Sequence, residues 1–137
     1  MTTSLLLKRV RLCAAWALGA YFAHMYVVHG WIKFDPNGFW TQAFERWGYP
    51  VWLRWLVGFL ELVGGALLVI PWLASYGALA VLMVMAGAWF TRAGNHRWVD
   101  VAWISAYALG LAWIAWEWWD WRWRPRPRRP APPVPPT

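Results

Sequence analysis

Seven side chains that can carry charge or exchange a proton lie inside or beside long apolar segments, where such groups are costly to bury. They are His24, His29, Lys33, Arg54, Glu61, Asp100 and Tyr107. A carboxylate, an imidazole and a phenol at one level can hydrogen-bond the polar headgroup of an amphipathic ligand and exchange protons with it. We therefore expect these residues to form a polar, ligand-binding pocket.

The depth of these residues places the pocket in one half of the protein. At about 1.5 Å per helical residue, Glu61 lies about 15 Å below Val51, where its segment begins. His24 and Tyr107 lie about 10 Å from the same side. The other half of each segment is almost entirely Leu, Ala, Val and Trp.

Glu61 also has a purely structural interpretation. A buried carboxylate neutralised by Lys33, Arg54 or a histidine can fix the register of two helices without binding a ligand. Lys33 is the counter-ion that we expect first. His24 and His29 are five residues apart, about 140° around a helix, so they cannot both point at one small target.

The composition excludes a soluble domain. The chain is 61% hydrophobic and 14% charged, whereas soluble domains carry about 25% charged residues. A single cysteine, Cys13, excludes an intrachain disulfide and a dithiol redox pair. The net charge of +7 lies mainly at the ends of apolar segments, which indicates membrane topology and lipid headgroups, not nucleic acid.

The apolar segments predict an all-α fold, an integral membrane four-helix bundle. Its spans are about 10–32, 51–72, 74–91 and 99–119, within a transmembrane domain of residues 1–121. The link after the first span contains FWTQAFERW, which predicts a short amphipathic helix in the first outer loop, at the membrane interface. Residues 122–137 form a basic, proline-rich tail.

Basic residues predict the orientation. Lys8, Arg9 and Arg11 precede the first span, and five arginines follow the fourth: Arg122, Arg124, Arg126, Arg128 and Arg129. Because positive charge favours the cytoplasmic side, both termini are expected there. We expect the five tail arginines to bind a partner.

Three ordered motifs resemble the DoxX family of small bacterial membrane proteins. They are G-x-x-K-F-D-P-x-G-F from Gly30, G-Y-P from Gly48 and E-L-x-G-G from Glu61. The resemblance covers about residues 10–115 and implies a four-helix bundle in the bacterial cytoplasmic (inner) membrane. It carries over Gly30, Lys33, Glu61 and Gly64 as motif positions. Gly30, Pro36, Gly64 and Gly65 are expected to be structural.

Some relatives are associated with quinone-linked redox systems or membrane oxidoreductase complexes. The chain has no nucleophile activated by a base, no cofactor motif and no metal cage, so we expect an accessory subunit without independent catalysis. Its expected partners are lipids and other subunits of a membrane complex. A quinone is the ligand compatible with the pocket. A haem held by His96 and a helical histidine is not expected, and neither is a metal site. The alternative is a stand-alone small transporter or a lipid- or quinone-binding protein.

Overall fold

The computed structural model describes residues 3–119, which form five α-helices and no strand. The helices are α1 (Thr3–Ile32), α2 (Phe39–Arg46), α3 (Val51–Leu67), α4 (Ala74–Gly94) and α5 (Trp98–Trp119). The all-α prediction is confirmed for this part of the chain. The predicted tail, residues 122–137, lies outside the described residues.

Three of these helices, α1, α4 and α5, are long and apolar enough to cross a membrane. Helix α3 has 17 residues, or about 25 Å of length, and ends before the predicted limit of its span at residue 72. Pro71 explains the early end, because it has no N–H to donate to the carbonyl of Leu67. The lengths and apolar character of α1, α4 and α5 confirm the prediction of a membrane protein with helices long and apolar enough to span.

The helices pack in the order α1, α3, α4, α5, with fewer contacts between α5 and α1, and α2 lies against α3. Glycines bring the backbones close. A Cβ added at Gly30 would lie 2.7 Å from the carbonyl oxygen of Gly58 on α3, and one at Gly77 would lie 2.5 Å from that of Gly64. These contacts are the small-residue packing typical of membrane helices.

The two ends of the helix assembly differ in how they are filled. We call one end the core half, because a closely packed apolar cluster occupies it. This cluster is Ala15, Phe22, Ala23, Tyr26, Leu68, Ala74, Ala78, Val81, Leu111, Ile114, Ala115 and Trp118. The other end, the cavity half, is where α1 and α4 end and α3 and α5 begin. It is the half in which the polar residues were predicted to converge.

Replacing Gly30 by Ala tests the close α1–α3 contact. The new methyl group meets backbone atoms of α3 that cannot move alone, so we expect the free energy of unfolding to fall by about 1–3 kcal/mol. SDS titration of the detergent-solubilised protein measures this change. Gly87→Ala is the control, because nothing lies within 4 Å of its added Cβ. Equal stability of the two variants would contradict the packing described.

Candidate functional site

A cavity of about 740 Å³ occupies the cavity half. All five helices contribute to its wall, which is mainly apolar and aromatic. The apolar and aromatic residues on it include Met25, Tyr26, Phe39, Trp40, Phe44, Trp47, Leu53, Val57, Leu60, Met83, Met85, Trp103 and Ile104. A cavity of this size and lining is typical of a site for a small organic ligand.

Five of the seven predicted pocket residues line this cavity. They are His29, Lys33, Glu61, Asp100 and Tyr107. The chain thus brings together, from α1, α3 and α5, side chains that are up to 78 positions apart in sequence. Whether they bind a ligand stays a prediction, but their convergence in one half of the protein is present.

His24 does not belong to the cavity. Its side chain is exposed on the outer surface of α1, whereas its neighbours Ala23 and Tyr26 face the core. His29, five residues later on the same helix, lines the cavity instead. This outcome agrees with the expectation that the two histidines cannot share one small target.

A buried ion pair is the main polar feature of the wall. Lys33 Nζ lies 2.5 Å from Glu61 Oε2, and the two side chains are only 4% and 7% exposed. Lys33 also donates to the carbonyl of His29 at 3.5 Å and lies 4.3 Å from the ring centre of Trp40. The expected pairing of Lys33 with Glu61 is therefore present.

Glycine makes this ion pair possible. Lys33 follows the end of α1 and must cross the surface of α3 to reach Glu61. It does so over Gly58, where an added Cβ would lie 3.1 Å from the Cβ of Lys33. Burial lowers the pKa of the Lys33 ammonium, and the negative charge of Glu61 acts in the opposite direction.

One oxygen of the Glu61 carboxylate is left for other partners. The hydrogen bond from Lys33 uses Oε2, and no second hydrogen bond to this carboxylate occurs within residues 3–119. The nearby Tyr26 hydroxyl, also on the cavity wall, donates to the sulfur of Met85 at 3.3 Å. Because a thioether is a weak acceptor, this hydroxyl can turn to a better one.

Arg54 has a structural role that the sequence did not indicate. It is buried. We expected it in the pocket, but it does not line the cavity. Its Nη1 donates to the carbonyl of Asp35 at 2.9 Å and to the hydroxyl of Thr41. These bonds tie the first loop and α2 to α3, and so hold Trp40 and Phe44 against the cavity.

A second charged group lies at the opposite wall. Asp100 Oδ2 lies 2.8 Å from Arg92 Nη1 and 2.8 Å from Arg97 Nε. The guanidinium of Arg92 also lies over the ring of Trp47, 5.0 Å from its centre. Sequence reasoning missed Arg92 and Arg97. The sequence did place both arginines at a short link between two predicted spans, and this position could have indicated that they lie close together.

The other predictions fall into three groups. Gly30, Gly64 and Gly65 pack closely against neighbouring helices, as expected of structural positions, and Pro36 lies in the turn before α2. Within residues 3–119, no group of three or more His, Cys, Asp or Glu side chains could hold a metal ion. The partner-binding arginines 122, 124, 126, 128 and 129 lie outside the described residues, so their role stays a prediction.

Together, the apolar helices and the cavity place residues 3–119 in the class of helical membrane proteins, with a ligand-sized cavity in one half. Comparison with protein-family profiles matches residues 10–94 to DoxX, which is well over half of the chain. The chain belongs to the DoxX family. Searches of curated proteins and of solved structures each found no significant match.

A double-mutant cycle on Lys33 and Glu61 tests the buried ion pair. Removing one partner leaves an unpaired buried charge, so we expect Lys33→Met or Glu61→Leu alone to cost about 3–5 kcal/mol of unfolding free energy. The double variant should recover most of this loss. SDS titration of each variant measures the coupling.

The matched control is the pair formed by Arg11 and Glu117 in the core half, where the arginine is 58% exposed. Its coupling energy should be below about 1 kcal/mol, because solvent-exposed pairs contribute little. Coupling at Lys33–Glu61 no larger than in this control would contradict a stabilising role for the buried pair.

Proposed function

We propose that this DoxX-family protein is an accessory subunit of a membrane redox complex and that its cavity binds the ring of a quinone. The observation that carries the proposal is the Glu61 carboxylate on the wall of an apolar, aromatic cavity, with Oε1 not hydrogen-bonded within residues 3–119. An apolar cavity with few, convergent polar groups is what such a ligand requires.

The wall offers a suitable group for each state of the ligand. A quinone presents two carbonyl acceptors, and a quinol presents two hydroxyl donors. Lys33 and the hydroxyl of Tyr26 can donate to the carbonyls, while Glu61 Oε1 can accept from a quinol hydroxyl. Trp40, Trp47 and Phe44 supply flat surfaces against which a ring can stack.

The proposed setting is the bacterial inner membrane. In this arrangement α1, α3, α4 and α5 form a four-helix transmembrane bundle, and α2 lies in the interface above the cavity. The amphipathic character of α2 supports this position, since Ala43 and Phe44 are buried while Glu45 and Arg46 are exposed. Basic residues at both ends of the chain support cytoplasmic termini.

Two features support a subunit within a larger assembly. Large aromatic side chains are exposed on several helices, including Trp31, Trp103 and Trp116, and can contact neighbouring helices as well as lipid. The arginines of the tail provide a basic, proline-rich segment that suits recognition by a partner. The second candidate, a stand-alone transporter or lipid- or quinone-binding protein, is favoured by one observation: all five helices of this chain line one cavity of ligand size.

A green fluorescent protein fused to the C-terminus tests both the orientation and the assembly. The fluorophore matures in the cytoplasm, so we expect fluorescent cells. In native gel electrophoresis of mildly solubilised membranes, the fluorescence should migrate well above the mass of the fusion in detergent. Dark but full-length fusion protein would contradict the orientation. Migration as a single chain would favour the stand-alone alternative.

Filling the cavity tests quinone binding. Gly87 lies on the cavity wall and has open space at its Cβ, so Gly87→Phe adds a ring at the wall without a clash at the new Cβ. We expect the affinity for a short-chain ubiquinone analogue, measured by isothermal titration calorimetry, to fall at least about tenfold, or about 1.4 kcal/mol.

Gly94→Phe is the matched control, since Gly94 lies on the same helix, also has open space at its Cβ and does not line the cavity. Its affinity for the analogue should equal that of the unaltered protein. If Gly87→Phe folded and bound the analogue with unchanged affinity, the ring would not bind in this cavity.

A further inference from the structure

The link between α4 and α5 forces two arginines together. His96 has a positive φ of 56°, its N–H bonds to the carbonyl of Ala93, and the N–H of Arg97 bonds to the carbonyl of Arg92. This is the Schellman pattern of helix termination, in which the two residues at the outer bond commonly make an apolar contact. Here both positions are arginine, so the backbone brings two positive charges to one place.

Asp100 neutralises only part of this charge. Its Oδ2 contacts both guanidiniums, so the group formed by Arg92, Arg97 and Asp100 keeps one positive charge. The charged groups across the cavity do not change this balance, because Lys33 and Glu61 neutralise each other.

Several N–H groups of the two arginines remain available. Within residues 3–119, the contacts found with Asp100 use Nη1 of Arg92 and Nε of Arg97. Nη2 and Nε of Arg92 and both Nη atoms of Arg97 can still donate. Arg92 is held in place by Trp47 and is 14% exposed, whereas Arg97 is 59% exposed. A guanidinium held against Trp47 and an exposed guanidinium beside it suit an incoming oxyanion, which arginine binds in a bidentate manner.

We propose that Arg92 and Arg97 form a binding site for a phosphate group at the mouth of the cavity. The exposed aromatic residues beside the link, Phe90 and Trp98, are typical of the level of lipid headgroups. A phospholipid phosphate bound there would place an acyl chain against the apolar wall at Met83 and Ile104. This site does not depend on quinone binding, because it is outside the Lys33–Glu61 wall and is assayed without quinone.

Lipid binding to the purified protein, measured by native mass spectrometry, tests the proposal. The probes are phosphatidylglycerol, a diacylglycerol glucoside that lacks phosphate, and inorganic phosphate alone. We expect phosphatidylglycerol to bind at least about tenfold more tightly than the glycolipid. Tight binding of inorganic phosphate, with displacement of the lipid, would support the same site with free phosphate as its source.

Variants assign the binding to these residues. Arg97→Gln should reduce the phosphatidylglycerol affinity to that of the glycolipid, and Asp100→Asn should increase it by removing the competing carboxylate. Arg46→Gln is the control, because Arg46 is an exposed arginine at the end of α2 that does not line the cavity. Arg97 is exposed, so its variant should fold. If folded Arg97→Gln bound phosphatidylglycerol as tightly as the Arg46 control, the proposal would be overturned.

Discussion

The ion pair between Lys33 and Glu61 is the contact on which the cavity half depends. In a region of apolar side chains, an unpaired lysine or carboxylate would be strongly unfavourable. The pair instead joins the end of α1 to the middle of α3. Gly30 and Gly58 make this contact possible, because neither has a side chain that would keep the backbones of α1 and α3 apart. Charge burial and glycine packing are therefore two parts of one arrangement.

This arrangement explains why the two halves differ. In the core half, apolar side chains fill the space between helices, and the buried Ser75 donates to the carbonyl of Ala115. In the cavity half, charged pairs on two walls hold the helix ends, while Arg54 holds the first loop and α2. Fixed polar contacts at the wall keep the space between them open, and that space is what a ligand can occupy.

The sequence was sufficient to predict the helices and the half of the protein in which the polar residues lie, because both follow from patterns that extend along whole helices. Apolar length predicted the helices, and depth along each helix predicted that His24, Glu61 and Tyr107 would meet in one half. Of these three residues, Glu61 and Tyr107 line the cavity. Rotational position was harder to predict, because α1 is apolar around most of its circumference and its pattern does not mark one buried face. His24 therefore seemed as suitable as His29, although of the two only His29 lines the cavity. The profile match to DoxX extends over residues 10–94 and confirms the resemblance over the first three predicted spans.

The arginines around the α4–α5 link show a second limit. A helix that ends in a left-handed residue is usually marked by glycine, but His96 occupies that position here. The usual glycine marker was therefore missing, and only the position of Arg92 and Arg97 around a short link indicated that they could meet. Arg54 illustrates the same difficulty, because its partners are a backbone carbonyl and a hydroxyl in a loop, which charge pairing in the sequence cannot reveal.

The central claim is that the cavity beside Lys33 and Glu61 binds the ring of an amphipathic ligand. Photolabelling with an azido-quinone in membranes, followed by peptide mass spectrometry, tests it most directly. The account predicts labels on cavity residues such as Trp40, Met83 and Met85, and competition by unmodified quinone. Labels confined to the core half, around residues 10–20 and 110–119, or labelling that quinone does not reduce, would contradict it.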